Sequence, residues 1–305
     1  MGIARYDKND TFIDALTSCV KEEVKKIGAE KDVETMVTIK AASDSQRQQN
    51  TQVKELLAAG CNVLCVNLVD RTDPSEIIEQ AKEKNVPVIF FNREPVKEDL
   101  AQWEKLYYVG GNAQESGVLQ GELAAETILE NPKIDRNEDG KIQYVVLEGE
   151  PGHQDAIIRT EEAVETLKAS GVQLEKLGYG IANWGRAQAE NRMIQLINQH
   201  QNKIELVLSN NDDMALGGLD AYTKLNRTES SIPVFFGIDG TTTGLEAVRE
   251  GKLAGTVYND KEAQAKMIAK LAATLSLADD KEIQQLPQQN YAPYAKVTPE
   301  NVEEY

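Results

Sequence analysis

An α/β fold of two similar lobes, each a parallel sheet flanked by helices, is what the sequence predicts, on three observations. Short apolar runs alternate with amphipathic segments along almost all of the 305 residues, and such strands set between helices belong to parallel sheets covered on both faces. The halves also repeat one another: "CNVLCVNLVDRTDP", a helix and "VPVIFFNRE" are echoed by "IELVLSNNDDMAL", a helix and "IPVFFGIDG". The tail past about residue 280, "KEIQQLPQQNYAPYAKVTPENVEEY", lacks this rhythm and is expected to cross back between the lobes.

In chain order the strand-like runs are "GIARY", "VETMVTIKA", "CNVLCVNLV", "VPVIFFN", "KIQYVVLEGE", "IELVLSNN", "IPVFFGID" and "AGTVYND". Apolar and β-branched residues dominate most of them, as a pleated, buried surface requires. Helix patterns fill 74–84, 113–130, 186–199 and 214–225. Behind the first strand, "YDKNDTFIDAL" opens another helix: Asp10 is placed to cap it, and Phe12 begins an apolar stripe through Leu16 and Val20. Cys19 falls on that face, while Cys61 and Cys65 share one strand-like run. Four residues of strand span roughly 13 Å, about twice the Cα separation of a disulfide. All three cysteines are therefore expected as small buried hydrophobes, which leaves the compartment open.

Composition excludes several classes. A formal charge of −17 and a pI near 4.7 oppose nucleic acid and anionic membrane surfaces, which a basic face attracts. No apolar run is long enough to span a bilayer. The opening Met1-Gly2-Ile3-Ala4-Arg5-Tyr6 is no signal peptide, and Tyr6 stands where myristoylation wants Ser or Thr. Catalytic patterns are missing too. No Gly-rich phosphate loop follows a strand, "GGN" at 110–112 is too weak, and there is no GxSxG, CxxC or HExxH.

In open α/β sheets ligands bind beyond the carboxyl ends of the strands, so the polar residues there are the candidates. Asp10 and Phe12 follow the first strand, where a cap and a core aromatic also account for them. Asn92, Arg93 and Glu94 follow "VPVIFF". "PGHQDAIIR" opens a helix with His153, Asp155 and Arg159; the last two, at i,i+4, also suit a plain surface pair worth about a few tenths of a kcal/mol. "SNNDD" at 209–213, with Asn211, suits helix capping equally well. Asp239 in "GIDG" and Asn259 in "YND" end the later strands. Trp184 sits in the polar loop "IANWGRAQAE", an odd place for a large aromatic unless something stacks on it. Planar polar groups with two aromatics suit a sugar: bidentate groups match vicinal hydroxyls, and aromatic faces cover the C–H patches of a pyranose.

Asp135, Asn137 and Asp139 at alternate positions, with Gly140 at the turn, begin like a calcium-binding loop. The twelfth position, which would supply a bidentate Glu, is Val146, and "QYVVL" reads as a strand rather than an exiting helix. Two readings stand: a metal site completed from elsewhere, or an acidic turn.

The stretches "VNLVD", "NVPVIFFNREP", "YYVG", "ESGVLQGEL", "DRNEDGKIQYVVLEGEPGH", "NNDDMA", "SIPVFFGID", "LAGTVYND" and "QAKM" resemble the galactose/glucose-binding branch of the bacterial type I periplasmic-binding-protein superfamily. The similarity runs over nearly the whole length. It implies a multi-strand hinge joining an N-terminal lobe, 1–111 plus 260–293, to a C-terminal lobe, 112–259 plus 294–305, that carries the calcium loop. It implies a sugar pocket of Asp10, Phe12 and Asn92 from the first lobe, His153, Asp155, Arg159, Trp184, Asn211 and Asp239 from the second, and Asn259 from the hinge region. Phe12 and Trp184 would sandwich the ring. All ten hold the family's residue type; Thr11, Asn183 and Gly185 depart beside them and bear on fine specificity. In this family a distant Glu completes the calcium loop. The resemblance thus implies a structural Ca²⁺ held by side chains of Asp135, Asn137, Asp139, Gln143 and Glu205 with the Lys141 backbone carbonyl.

In function, the resemblance implies a non-enzymatic, monomeric receptor that closes two lobes around D-glucose or D-galactose. The sugar would pass to a membrane ABC permease, with a chemotaxis receptor as a further partner. The expected location is extracytoplasmic, in a periplasm or lipid-anchored outside a single membrane, with a signal removed ahead of Met1. The sensor half of a sugar-responsive repressor shares the fold, but no basic helix-turn-helix precedes "GIARY". A glycosidase using paired carboxylates is the third reading.

Overall fold

The structure, a computed structural model, describes residues 1–278 and 280–305. These fall into two compact units, residues 1–111 with 260–292 and residues 112–259 with 293–305, so Pro293 goes with the second. The first unit runs through β1 (Gly2–Arg5), α1 (Thr11–Glu30), β2 (Thr38–Ala41), α2 (Gln46–Ala58), β3 (Leu64–Val66), α3 (Ser75–Glu83), β4 (Val88–Phe91), the short α4 (Lys97–Leu100) and β5 (Leu106–Gly111). The second contributes α5 (Ala113–Glu130), β6 (Ile142–Glu148), α6 (Gln154–Ala169), β7 (Leu174–Ile181) and α7 (Arg186–His200). It continues with β8 (Leu206–Ser209), α8 (Asp212–Lys224), β9 (Val234–Phe236), α9 (Thr242–Arg249) and β10 (Thr256–Asn259). The chain then returns to the first unit with α10 (Lys261–Leu277), α11 (Asp280–Ile283) and β11 (Gln289–Ala292), and to the second with β12 (Tyr294–Val297).

The first sheet has the order β11-β5-β4-β3-β1-β2 and every pair is parallel. The second, β7-β6-β8-β9, is parallel as well. Beside it β10 and β12 form an antiparallel pair, bridged to the β9 end through Phe236–Gly255 and Asp239–Tyr258. Side-chain alternation sorts each strand into two cores. On β4, Val88 and Phe90 enter one cluster, Ile89 and Phe91 the other. On β6, Val145 and Leu147 face one cluster, Tyr144 and Val146 the other. With helices over both faces no strand interior has room for an unpaired polar group, so polar side chains collect where strands emerge.

Two predicted strands are shorter than expected, for one reason. The run 33–41 becomes strand only at Thr38, and the run 61–69 only over Leu64–Val66. A helix ends with orphan carbonyls, and the first residues of each run are spent on them. The Val33 N–H donates to Gly28 O at 2.8 Å, finishing α1, and the Cys61 N–H donates to Leu56 O at 3.2 Å, finishing α2. Cys61 therefore lies in a turn. The cysteines are free, and only Cys65 is fully buried, its thiol pushed up by that burial; Cys19 and Cys61 are half-buried, contrary to expectation. Strand β7 went unpredicted because it is an edge strand with one neighbour, and most of its residues stay partly exposed.

Helices α5 and α6 meet backbone to backbone. A Cβ on Gly117 would come 2.9 Å from Arg159 O, and one on Gly121 would come 2.6 Å from Ala163 O. Alanine is the better helix former by about 1 kcal/mol, yet Gly121→Ala is expected to lower stability by about 1–3 kcal/mol through overpacking. Guanidinium unfolding reads the sign; an unchanged or raised midpoint would refute the close approach.

Candidate functional site

In the first unit the candidates stand at the carboxyl ends of β1 and β4. Asp10 caps α1: Oδ1 accepts from the Ile13 N–H at 2.8 Å, and Oδ2 accepts from the Tyr6 hydroxyl at 2.6 Å. Phe12 is buried in one core with Leu16 and Val20. The cap-and-core account of both residues therefore holds, and an ionised carboxylate retains acceptor sites beyond these two bonds. Asn92 takes a left-handed backbone, φ 61°, which Asn tolerates better than most side chains. Its N–H donates to Val109 O at 3.1 Å, its carbonyl accepts from the Tyr108 hydroxyl at 2.9 Å, and its Oδ1 accepts from Asn67 Nδ2 at 3.1 Å. Arg93 turns away to donate from Nη1 to Val69 O at 2.7 Å, its guanidinium 3.7 Å from the centre of the Tyr6 ring. Glu94 Oε1 accepts from the Tyr291 hydroxyl and from Gln289 Nε2, each at 2.6 Å.

The second unit places seven candidates at the ends of β6, β7, β8, β9 and β10 or just past them. His153 caps α6, its Nδ1 accepting from the Asp155 N–H at 3.2 Å. Its ring meets Trp184 edge-on, centroids 4.9 Å apart. Trp184 is half-buried and, like Asn183, left-handed, at φ 65° and 46°. Asn211 caps α8, Oδ1 accepting from the Met214 N–H at 2.9 Å, while its Nδ2 donates to Trp184 O at 3.2 Å. Asp239, at φ 117°, donates its N–H to Val257 O at 2.8 Å, and the Asn259 N–H donates to Asp239 O at 3.1 Å. Asn259 Nδ2 donates to Asp239 Oδ1 at 3.4 Å.

Arg159 is no surface residue: it is 3% exposed. Nη1 donates to Asn210 O at 2.9 Å, Nε to Ser116 Oγ at 3.2 Å and Nη2 to the Tyr294 hydroxyl at 3.2 Å, with Asp155 Oδ2 at 3.7 Å. Burial works against the charge, but Tyr294, Asp155 and Asp239 outweigh it and hold the guanidinium above its ordinary value. The Asp155–Arg159 pair is thus part of the site's frame.

Sequence reasoning missed the residues that orient these groups: Tyr6, Asn67 and Tyr108 in the first unit, Ser116, Asn210 and Tyr294 in the second. Gly149 escaped as well; a Cβ there would lie 2.3 Å from the Trp184 ring. Its place three residues before "GH", at a strand's end, was the available signal.

The acidic loop is hydrogen-bonded to Glu205 through its backbone. Glu205 is 2% exposed; Oε1 accepts from the Arg136 N–H at 2.6 Å and Oε2 from the Gln143 N–H at 3.1 Å. Asp135 Oδ2 accepts from the Gly140 N–H at 2.9 Å, Asn137 Oδ1 from the Asp139 N–H at 2.9 Å and Asp139 Oδ1 from the Lys141 N–H at 2.9 Å. That last bond holds the Asp139 carboxyl below its ordinary range. Asn137 Nδ2 donates to Gln143 Oε1 at 2.9 Å, and Gln143 Nε2 to Asp139 Oδ2 at 3.0 Å. With these amides among the acids, no three His, Cys, Asp or Glu side chains among the described residues are grouped to hold a metal ion.

Residues 1–280 match the family described as "Periplasmic binding protein domain". The chain belongs to that family. It is 39% identical over 277 residues to the D-galactose/methyl-galactoside binding periplasmic protein of Haemophilus influenzae, covering 90% of this chain and 81% of that one. Among solved structures it resembles an ABC transporter solute binding protein of Bacillus halodurans with bound myo-inositol, at TM-score 0.82 and 28% identity, covering 100% of this chain and 96% of that one. A periplasmic solute binding protein of Actinobacillus succinogenes with bound D-allose shares the fold at TM-score 0.84 and 20% identity, covering 100% and 99%. Among the described residues no helix is long and apolar enough to cross a membrane.

Removing the Arg159 guanidinium leaves two buried hydroxyls and a buried carbonyl without their donor. Arg159→Met is expected to cost about 3 kcal/mol or more in urea unfolding. Arg159→Lys, keeping charge but not the planar fork, should cost roughly 1–3 kcal/mol.

Proposed function

We propose that this chain is an extracytoplasmic receptor that binds D-glucose or D-galactose and delivers it to a membrane ABC permease without chemical turnover. The observation that carries the reading is the set of planar polar groups at the strand ends of each unit, joined by a half-buried tryptophan. The 39% identity to a protein named for D-galactose and methyl-galactoside supports the hexose class. Asp10 offers two acceptor oxygens, and Asn92 an amide with both donors and an acceptor, so an axial or an equatorial hydroxyl can be met by one pair. Asp155 and Arg159 take neighbouring hydroxyls, His153, Asn211, Asp239 and Asn259 the remaining ones, and Phe12 and Trp184 the apolar faces. The resemblance alone adds a monomeric state, a chemotaxis receptor as second partner, and a periplasmic or lipid-anchored location.

Calorimetry against a sugar panel tests this. D-glucose and D-galactose should bind one to one, with ribose and arabinose much weaker. Asp10→Asn keeps a capping oxygen but loses the charge; about 1.5–3 kcal/mol for a charged hydrogen bond means a loss of roughly 10–100-fold in affinity. Hydrolysis of galactosides or glucosides by the protein would replace the receptor by a glycosidase.

We also infer a structural Ca²⁺ at the acidic loop. The donors fit a hard cation: Asp135, Asn137, Asp139, Gln143 and Glu205 offer only side-chain oxygens, and Lys141 its carbonyl. The buried Glu205 carboxylate takes its hydrogen bonds from neutral backbone N–H groups, so a cation there would neutralise it. Bound only by the folded state, Ca²⁺ adds about 2.7 kcal/mol at a hundredfold excess over Kd. Chelator should lower the melting temperature of the wild type and leave Glu205→Gln nearly unmoved. A wild-type curve indifferent to chelator returns the loop to an acidic turn.

A further inference from the structure

Asp212 is a buried carboxylate that sugar binding leaves unused. First residue of α8 and next to Asn211, it is 0% exposed. Its N–H donates to Ile238 O at 2.8 Å. Its Oδ2 accepts from the Thr241 N–H at 2.8 Å and the Thr241 hydroxyl at 3.2 Å, and its Oδ1 accepts from the Thr256 hydroxyl at 2.6 Å. One residue thus joins the start of α8, the turn before α9 and the start of β10. Two glycines make the room: a Cβ on Gly237 would stand 2.2 Å from Oδ1, and one on Gly244 would stand 2.1 Å from Oδ2. Burial pushes the carboxyl up to about 7, against the donors of Thr256 and Thr241 that pull it down.

The three joined segments carry Asn211, Asp239 and Asn259. Asn211 precedes Asp212, Asp239 follows the Ile238 that Asp212 holds, and Asn259 ends the strand that Thr256 begins. The Thr241 N–H can only donate, so Oδ2 must accept, while the Thr241 and Thr256 hydroxyls can donate or accept. Asparagine keeps one acceptor oxygen for the Thr241 N–H but loses the charge, and its NH₂ would reverse the bond to the Thr256 hydroxyl, whereas Thr256→Val removes that bond outright.

We propose that Asp212 is a positioning residue for the ligand site, a buried acceptor that sets the spacing of Asn211, Asp239 and Asn259 without touching ligand. The proposal rests on the sugar-binding reading above. Full burial keeps Asp212 out of reach of any ligand, so its influence runs through the three segments.

Calorimetry with D-galactose and D-glucose on wild type, Asp212→Asn, Thr256→Val, Thr256→Ser and the core control Val207→Ala tests it, together with sugar-free hydrogen exchange at the Asp239 and Asn259 amides. Asp212→Asn and Thr256→Val should bind both sugars at least tenfold more weakly, with one-to-one stoichiometry below their melting temperatures, and exchange faster at both amides. Thr256→Ser keeps the hydroxyl and should bind as the wild type does. Val207→Ala, less stable with the hub intact, should do the same. Should Asp212→Asn fail to fold, Thr256→Val decides alone. The proposal is overturned if the hub variants bind like the wild type, or if Val207→Ala loses as much affinity at a matched fall in melting temperature. Should the wild type bind neither sugar, the sugar reading fails, and exchange alone judges the positioning: faster at both amides supports it, unchanged refutes it.

Discussion

A guanidinium withdrawn from water has to be answered on every side, and the second unit is arranged around meeting that requirement for Arg159. Its partners come from four places in the chain: Ser116 on α5, Asp155 on its own helix, Asn210 past β8 and Tyr294 on β12. Each fixes an element. Ser116 needs α5 pressed against α6, which Gly117 and Gly121 permit. Tyr294 needs the chain to come back after β11, and burial pushes its phenol up to about 12 so that it stays a neutral hydroxyl. The same fork has the Asp155 carboxylate 3.7 Å from Nη2.

The ends of parallel strands account for the rest. Strand interiors covered on both faces are mostly apolar, and polar side chains collect where backbone leaves the sheet. There the chain must turn, and several of these turns are left-handed: Asn92, Asn183, Trp184 and Asp239 all hold positive φ. Asn and Asp bear that conformation more easily than most residues. Trp184 does not, and it is kept there by Asn211 on its carbonyl and His153 on its ring. Some of the chain's backbone strain thus lies where the polar groups are presented.

These terms also explain what the sequence disclosed. Residues whose role is local were legible: Asp10 as a cap, Phe12 with Leu16 and Val20 as a stripe, the apolar runs of β4 and β6. Residues whose role depends on a distant partner were not. Tyr6 reads as the last residue of a strand until its N–H is seen on Asn67 Oδ1, 61 residues away. Asp212 is one acid in "SNNDD" until Thr241 and Thr256 are seen to converge on it, 29 and 44 residues away. Strand β7 carries the mixed pattern of an edge, and β12 lies in a tail with no periodicity. The apolar helix-ending residues Val33 and Cys61 misled because a helix's orphan carbonyls claim residues that composition alone assigns to a strand.

Each unit is stitched from separated stretches of chain, and this has a consequence for the order of assembly. On a ribosome or in any directional passage, α5 to β10 arrive before Tyr294. Until then Arg159 lacks its phenol and β10 lacks the strand that pairs with it. A chain cut just before Tyr294 would contain nearly all of the second unit's apolar core and still be unfinished. The second unit therefore completes the partners of Arg159 and the pairing of β10 only once residues 294–297 have been made.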